Sequence, residues 1–455
     1  MKLSNIEVKE KQKTKKKRKI NIQKIFNLMS FTFILACCVF YGGRFLSLYL
    51  ENNKNEDVKL LVDNIKENNK ENTDFKNING NYYFKGENPD NYIKYSNLIW
   101  RIIRINSDNT VTIVLDTPIT AIAAGNSNTY VDTYINEWLN YNDKDHTGIL
   151  EKNLNKVNNF LTYTNTCYDK IDNTKNITCK KKLDNTLITI PSLNDYVNTG
   201  GHEGFMNSGE YYYLINRTSE NKMWYVDESG KIGTSDGTDI IGIKPVITIK
   251  KKVALIDGIG TQDNPYKIEM ENGLFGSYVK LGNDIWRVYS VDWDDIKLSL
   301  NSHLTLNGNE VKYKYSTNGY YHNDTKQNSL AYYLKNTYLP TLSYNNLINE
   351  INYSNGIYSN VTNYDYKGTL NTTINTKVTI LSLGDIFLNS ENTNYFTNTG
   401  VSEDGNQMYV MRNNFEVYTK VSTSNLNVVP VISINKNLLT TGIGTIESPL
   451  EVSNE

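Results

Sequence analysis

The chain has 455 residues and a formal net charge of −1, so no excess of positive charge is present to recruit nucleic acid. Its 34 tyrosines and 13 phenylalanines exclude a disordered chain and favour folded, strand-rich domains. A chain of this length predicts roughly two to four domains.

A basic stretch followed by an apolar stretch opens the chain. Residues 1–24 carry ten Lys or Arg, and the 19 residues of Ile25–Gly43 carry no charge. As a helix those residues would be about 28 Å long, close to the roughly 30 Å hydrocarbon core of a bilayer. The positive flank is N-terminal and belongs inside the cell. We predict a cytoplasmic tail at 1–24, a single transmembrane helix at 25–47, and an extracellular location for the rest.

Two other interpretations of this segment are open. A cleaved signal peptide would need a small-residue cleavage site, which the sequence around Gly42–Gly43 does not offer. A lipoprotein would carry its lipid on Cys37, but the chain stays apolar for several residues beyond that cysteine. Cys37 and Cys38 are typical of small apolar residues inside a membrane helix, and a mature N-terminus at Cys37 would contradict the anchor.

Residues 48–79 are polar and predict a juxtamembrane spacer. Within them Val58, Leu61, Val62 and Ile65 recur at helical spacing, which predicts one short helix.

The rest of the chain contains an internal repeat. The segment Asn91–Asn106 is echoed by Ser277–Asp292, and both read Tyr–(Ile/Val)–Lys followed by Ile–Trp–Arg–(Ile/Val). Trp100–Arg101 and Trp286–Arg287 lie 186 positions apart. Such an echo has to be recognised first, because a missed repeat leads to the wrong fold.

Further landmarks follow in the same order. Lys244–Ile249 (KPVITI) matches Val429–Ile434 (VPVISI), and Gly258–Ile268 (GIGTQDNPYKI) matches Gly442–Val452 (GIGTIESPLEV). A looser match joins ITIPSLNDY, from Ile188, to TILSLGDIF, from Thr379.

We therefore predict two tandem ectodomains, copy 1 at 80–268 and copy 2 at 269–455. Each is long enough to bury a core of its own, so the expected arrangement is beads on a string.

Local patterns predict an α+β fold in which each copy is β-rich with one or two helices. Leu98–Ile105 and Val111–Leu115 are apolar and β-branched, and the polar residues between them predict a hairpin. Apolar spacing predicts helices at Tyr134–Tyr141 and Leu150–Leu161, and Asn328–Leu339 is the expected counterpart of the first in copy 2.

Four residues are predicted to be structural. Trp100 and Trp286 stand among aliphatic neighbours, which favours a place in the core with the following arginine on the opposite face of the strand. Pro245 and Pro430 lack an N–H, so each marks an edge strand or the first residue of a strand.

Cys167 and Cys179 favour a disulfide, because an extracellular compartment permits one and two cysteines leave a single pairing. A zinc site would need two further ligands, and His146 and His202 do not stand at finger spacing. Copy 2 has no cysteine, so its fold cannot depend on the bridge.

The motifs resemble those of a known group of proteins. YYFKG at 82–86, the Trp–Arg strand, the cysteine insert, LITIPSLNDYVNTGG at 187–201 and the KPVITI close resemble uncharacterised, N-terminally membrane-anchored surface proteins of Firmicutes and related gut bacteria. That group looks distantly similar to the C-type-lectin-like superfamily, which implies such a fold for each copy. Lys244 stands where the group has an arginine, and Thr199 where it has an alanine.

No catalytic, metal or cofactor motif is apparent. His202–Phe205 (HEGF) is typical of a polar turn, and Asp292, Asp294 and Asp295 lack the glycine and distal glutamate of a calcium loop. We therefore expect no enzyme activity and no cofactor.

The expected function is that of a membrane-anchored, adhesin-like surface protein whose tandem ectodomains bind an extracellular glycan, wall polymer or protein. A structural role in the cell envelope is the alternative, and an extracellular enzyme is the least favoured class.

Overall fold

The computed structural model describes residues 59–453, except 126, 141–147, 176, 178, 271–272, 318–326, 356–371, 389–393, 402–405 and 413. The described chain is mixed and mostly β, with few and short helices and several separate sheets. This confirms the β-rich, mixed class predicted from the sequence.

The described part of copy 1, together with residues 59–79, contains fourteen strands and five α-helices. The strands are β1 (Phe75–Ile78), β2 (Asn81–Phe84), β3 (Tyr92–Tyr95), β4 (Leu98–Ile105), β5 (Val111–Leu115), β6 (Thr120–Ile122), β7 (Leu161–Thr162), β8 (Ile188–Thr189), β9 (Tyr212–Arg217), β10 (Met223–Val226), β11 (Ile232–Ser235), β12 (Ile241–Ile243), β13 (Val246–Ile249) and β14 (Tyr266–Lys267). The helices are α1 (Leu61–Asn68), α2 (Tyr134–Leu139), α3 (Ile149–Asn153), α4 (Val157–Phe160) and α5 (Leu193–Asn198), with a 3₁₀ turn at Gly201–Glu203.

The described part of copy 2 continues the series. Its strands are β15 (Tyr278–Leu281), β16 (Asp284–Val291), β17 (Asp295–Leu300), β18 (Thr305–Leu306), β19 (Asn309–Glu310), β20 (Lys312–Lys314), β21 (Ile351–Asn355), β22 (Thr372–Thr376), β23 (Val378–Ile380), β24 (Tyr395–Gly400), β25 (Gln407–Met411), β26 (Val417–Val421), β27 (Asn425–Asn427), β28 (Pro430–Asn435) and β29 (Leu450–Glu451). Helix α6 (Leu330–Tyr333) runs on through a π turn at Leu334–Tyr338 into a 3₁₀ turn at Leu339–Thr341, and further 3₁₀ turns lie at Asn345–Leu347 and Lys436–Leu438.

The sequence repeat is also a repeat of topology. In copy 1 six strands follow the order β14–β3–β4–β5–β13–β8, and in copy 2 the order β29–β15–β16–β17–β28–β23. In both, the first pair is parallel and the remaining pairs are antiparallel. The register between β4 and β5 shifts at Ile102–Arg104 in copy 1. The register between β16 and β17 shifts at the equivalent position, Val288–Ser290, in copy 2.

Each copy carries a smaller sheet as well. Strands β9, β10 and β11 form it in copy 1, and β24, β25 and β26 form its counterpart inside a five-stranded sheet in copy 2. The turn after β10 and the turn after β25 both place a residue in the left-handed region, Gly230 and Phe415 respectively.

The segment predicted as a spacer lies partly outside the described residues, but 59–79 belongs to the fold of copy 1. Helix α1 buries Leu61, Val62 and Ile65 in the main core, and β1 pairs with β2. The predicted short helix is confirmed for Leu61, Val62 and Ile65, and its apolar face packs on copy 1; Val58 lies outside the described residues.

The predicted cytoplasmic tail and transmembrane helix at 25–47 lie outside the described residues. Among the residues that are described, no helix combines the length and the apolar character that a membrane crossing requires.

Helix predictions were accurate where one apolar face is buried. Helix α2 begins after Thr133, whose hydroxyl accepts the N–H of Asn136, and buries Trp138. The predicted single helix at Leu150–Leu161 is wrong: it divides into α3 and α4, because Lys156 adopts a left-handed conformation with a φ of 47°.

The two copies share a core. Ile119 and Trp138 of copy 1 belong to one apolar cluster with Leu381, Phe387 and Val431 of copy 2. A second cluster around Trp286 fills copy 2 alone. Residues Lys59–Glu455 accordingly form one compact unit, and the copies are not separate beads.

Candidate functional site

The repeated Trp–Arg pair is a structural unit in both copies. Trp100 and Trp286 are fully buried. The indole N–H of Trp100 donates to the Tyr95 carbonyl at 3.0 Å, and that of Trp286 to the Tyr344 hydroxyl at 3.3 Å. A buried indole with a partner for its only donor is typical of a core residue.

The arginine beside each tryptophan stacks on a tyrosine of the neighbouring strand. Arg101 lies 3.7 Å from the ring centre of Tyr92, and Arg287 lies 4.6 Å from that of Tyr278. Each arginine is paired directly opposite its tyrosine in the sheet register. The repeated tyrosine, tryptophan and arginine therefore hold two adjacent strands together from both faces.

Both prolines stand where a central strand starts. Pro245 directly precedes β13, and Pro430 is the first residue of β28. Each of these strands has neighbours on both sides, so the prolines mark strand beginnings and not edges.

Copy 1 contains two neighbouring pairs of opposite charges around the Trp–Arg strand. The guanidinium of Arg101 lies 3.5 Å from the Asp116 carboxylate, and Lys244 Nζ lies 3.9 Å from Glu210 and 2.5 Å from the Ser208 hydroxyl. Burial lowers the pKa of Lys244, and the Glu210 and Asp116 carboxylates oppose that effect.

Lys244 Nζ donates to the Ser208 hydroxyl, so this buried amine connects the chain just before β13 to the chain just before β9. Lys244, which stands where the resemblance expects an arginine, aligns with Val429 of copy 2.

Cys167 and Cys179 form a disulfide, as predicted, with their Cα atoms 5.4 Å apart. His202 and Glu203 are exposed and lie 3.9 Å apart on the 3₁₀ turn after α5. Within the described residues, no three His, Cys, Asp or Glu side chains come together as metal ligands.

The site best suited to a ligand is a groove of about 450 Å³ between the smaller sheets of the two copies, here called the inter-copy groove. Sequence reasoning did not find it, because its walls come from both copies. Its lining combines four aromatic rings, two carboxylates and two threonine hydroxyls: Tyr211, Tyr225, Tyr409, Phe415, Asp239, Glu416, Thr234 and Thr238.

Backbone geometry positions the copy 1 wall. Tyr225 lies on β10 directly opposite Gly233 of β11. A Cβ atom at Gly233 would stand 2.6 Å from the Tyr225 ring, so only glycine leaves room for the ring across the edge strand. Tyr211 comes just before β9, and its N–H donates to the Asn414 carbonyl of copy 2 at 3.1 Å.

The copy 2 wall depends on a strained turn. Phe415 has a φ of 58°, a conformation that is rare for an aromatic residue. Its side chain reaches copy 1, where its Cβ lies close to Gly242. The neighbouring Glu416 forms an ion pair with Arg412, which in turn lies 4.5 Å from the Tyr418 ring.

The groove has a negative electrostatic character. Burial, together with the carboxylates of Glu228, Glu416 and Asp227, raises the pKa of the half-buried Tyr211 hydroxyl. Burial raises the pKa of Tyr409 to about 12. Both hydroxyls stay protonated at neutral pH and can donate a hydrogen bond.

This lining suits binding more than catalysis. Aromatic rings stack on the apolar faces of a ligand, while carboxylates and hydroxyls bind its polar edges. A larger recess of about 720 Å³ lies in copy 1, and among its described lining residues Tyr163 supplies the single aromatic ring. The inter-copy groove offers four rings to a ligand.

No known family model, curated protein or solved structure matches the chain. The site therefore has to be interpreted from its own residues.

Proposed function

We propose that this chain is a single-pass membrane-anchored surface protein whose ectodomain binds an extracellular glycan or wall polymer in the inter-copy groove. The observation that carries the proposal is the composition of that groove: aromatic rings from both copies beside carboxylates and hydroxyls. Sugars present an apolar C–H face and hydroxyl edges, so they need both kinds of partner at once.

Two features support a location outside the cell. The 19 uncharged residues after a basic N-terminal stretch have the length of a membrane helix. The Cys167–Cys179 disulfide needs an oxidising compartment to persist. The relation to C-type-lectin-like proteins belongs to the same proposal, and the mixed, β-rich architecture of each copy is compatible with it.

The position of the groove between the copies also changes the expected number of binding sites per chain. Tandem copies with one site each would bind by avidity. Here Tyr225 and Tyr409 come from different copies and face one groove, so the proposed stoichiometry is one polymer segment per chain.

The test uses the full-length chain in mild detergent, applied to arrays of glycans, wall fragments and matrix proteins with and without calcium. We expect saturable glycan binding that Tyr225→Ala weakens about tenfold or more. Tyr163→Ala is the matched control, because Tyr163 is a 60% exposed tyrosine of copy 1 outside the groove. A folded chain that binds nothing, or that loses binding equally in both variants, would contradict the proposal.

A structural role in the cell envelope is the second candidate, and one observation favours it. Trp293 is 94% exposed at the turn between β16 and β17. An exposed tryptophan offers a large ring that a second molecule can bury, and tryptophan is enriched at protein interfaces. Self-association of the full-length chain at micromolar concentration, abolished by Trp293→Ser, would favour this role over ligand binding.

A further inference from the structure

Copy 1 has a second pocket, of about 340 Å³, that is separate from the inter-copy groove. It lies between β2, β4, helix α5 and the Cys167–Cys179 disulfide, and we call it the disulfide pocket. Its volume is at the lower end for small-molecule sites, which fits one compact ligand.

The floor of the disulfide pocket is a fixed guanidinium. Arg104 is 4% exposed and forms an ion pair with the buried Asp195. Its Nε donates to Asn106 Oδ1 at 2.8 Å, and its Nη2 donates to Asn165 Oδ1 at 3.1 Å. A guanidinium held by three acceptors cannot swing away, so it presents a preorganised surface to a ligand.

The sides of the pocket are rich in groups that bind hydroxyls. Asn194 Nδ2 donates to the Tyr83 hydroxyl at 3.4 Å, and Asn165, Asn194 and Asn198 all line the cavity. Amide side chains both donate and accept hydrogen bonds, as sugar hydroxyls do. This lining therefore suits a polyhydroxylated ligand.

The positive charge at the rim of the pocket comes from Lys182 and the lysines that precede it in the chain. The segment from Cys167 to Lys182 contains five lysines and two aspartates. Lys180, Lys181 and Lys182 are exposed, and the last of them lines the pocket. The backbone N–H groups of Lys180 and Lys181 donate to the Asp169 carboxylate at 2.9 and 3.0 Å, which fixes the course of the chain there. Asp195 neutralises Arg104, so the net attraction for an anion comes from this rim.

Copy 2 lacks two of these features. Ser290 occupies the position of Arg104, and the sequence of copy 2 contains no cysteine. The guanidinium floor and the disulfide wall therefore belong to copy 1, although both copies have the same central sheet.

We propose that the disulfide pocket binds an anionic sugar, that is, a polyhydroxylated ring bearing a carboxylate or a phosphate. The amides and Tyr83 bind the hydroxyls, and the lysine rim attracts the acid group. The proposal is independent of the inter-copy groove, whose carboxylates favour neutral or amine-bearing ligands.

Calorimetry on the full-length chain in mild detergent tests this with three probes: glucuronic acid, glucose 6-phosphate and glucose. We expect both anions to bind more tightly than glucose, at one site per chain, with affinity that falls as salt is added. Whichever anion binds more tightly distinguishes a carboxylated from a phosphorylated sugar. Anions that bind no better than glucose would overturn the proposal.

Two double variants test whether Lys181 and Lys182 supply the positive charge that attracts the anion. K181Q/K182Q should weaken anion binding about tenfold and leave glucose binding unchanged. K251Q/K252Q is the matched control, since it removes two exposed lysines elsewhere in copy 1 and should change nothing. Equal effects of the two double variants would refute the assignment.

Asn165→Ala should weaken binding of both anions, while Tyr225→Ala in the inter-copy groove should weaken binding of neither anion. Loss of anion binding in Tyr225→Ala would move the site to the groove and contradict the disulfide pocket.

Discussion

Replacing one buried aspartate should stabilise this protein, and replacing its counterpart in the other copy should destabilise it. Asp195 and Asp385 occupy equivalent positions, and the serine three residues earlier donates a hydrogen bond to each carboxylate, from the Ser192 hydroxyl and from the Ser382 N–H. Asp195 forms an ion pair with Arg104, whereas Ser290 stands at the equivalent position in copy 2.

The carboxylate of Asp385 is surrounded by protein atoms, although the residue as a whole keeps some exposed surface. Burial raises its pKa from the ordinary 3.8 to about 6, while the Ser382 N–H and Lys297 oppose the shift. A change of that size corresponds to about 3 kcal/mol between the two protonation states.

The direction in which Asp385 changes the stability with pH follows from the number of protons that the folded and unfolded chains bind. Between pH 3.8 and about 6 the folded chain holds the Asp385 proton and the unfolded chain has released it. The contribution of this residue to stability therefore falls as pH rises through that window. Asp385→Asn removes the charge but can still accept the Ser382 N–H, so it should stabilise the chain by up to about 3 kcal/mol at pH 8 and by almost nothing at pH 4.

Urea unfolding of the unsubstituted chain and of Asp385→Asn, from pH 4 to pH 8, measures the difference in their free energies of unfolding. The matched control is Asp195→Asn, which leaves Arg104 buried without its counter-charge and should cost about 3–5 kcal/mol at pH 8. A lower stability of Asp385→Asn at pH 8, or a gain that does not change with pH, would refute the reasoning.

Three further changes have predictable outcomes. A chain truncated to 75–455 loses α1 with its three buried apolar side chains, and thermal unfolding should show a loss of about 5 kcal/mol against a chain that starts at Lys59. Reduction of Cys167–Cys179 should lower stability by roughly 3 kcal/mol in urea, and no change would show that the loop is held by its other contacts. Gly233→Ala should displace the Tyr225 ring and weaken glycan binding while the melting temperature falls by only a few degrees; unaltered binding would place the ligand elsewhere.

Features that depend on short stretches of chain could be predicted from the sequence. Alternating apolar residues predicted the hairpin of β4 and β5, and spacing alone revealed the repeat that the two central sheets then share. The disulfide followed from two nearby cysteines. The hairpin strands and the two cysteines are close in sequence, and the repeat is visible in the residue pattern itself.

The candidate sites depended on contacts that no local pattern records. Arg104 meets Asp195 across 91 positions of chain, and the Trp138 indole donates to the Gly384 carbonyl across 246. The predicted helix at Leu150–Leu161 failed because Leu154 is extended and Lys156 is left-handed, and the spacing of apolar residues does not record those backbone conformations.

The sequence by itself determined the β-rich class, the two copies and the disulfide, because periodicity and residue type are properties of the chain. Only the tertiary structure decided that residues 59–79 complete copy 1, that the copies share a core, and that a groove forms between them. Those outcomes depend on which apolar faces meet, and copy 2 presents one face of its sheet to its own core and the other to copy 1.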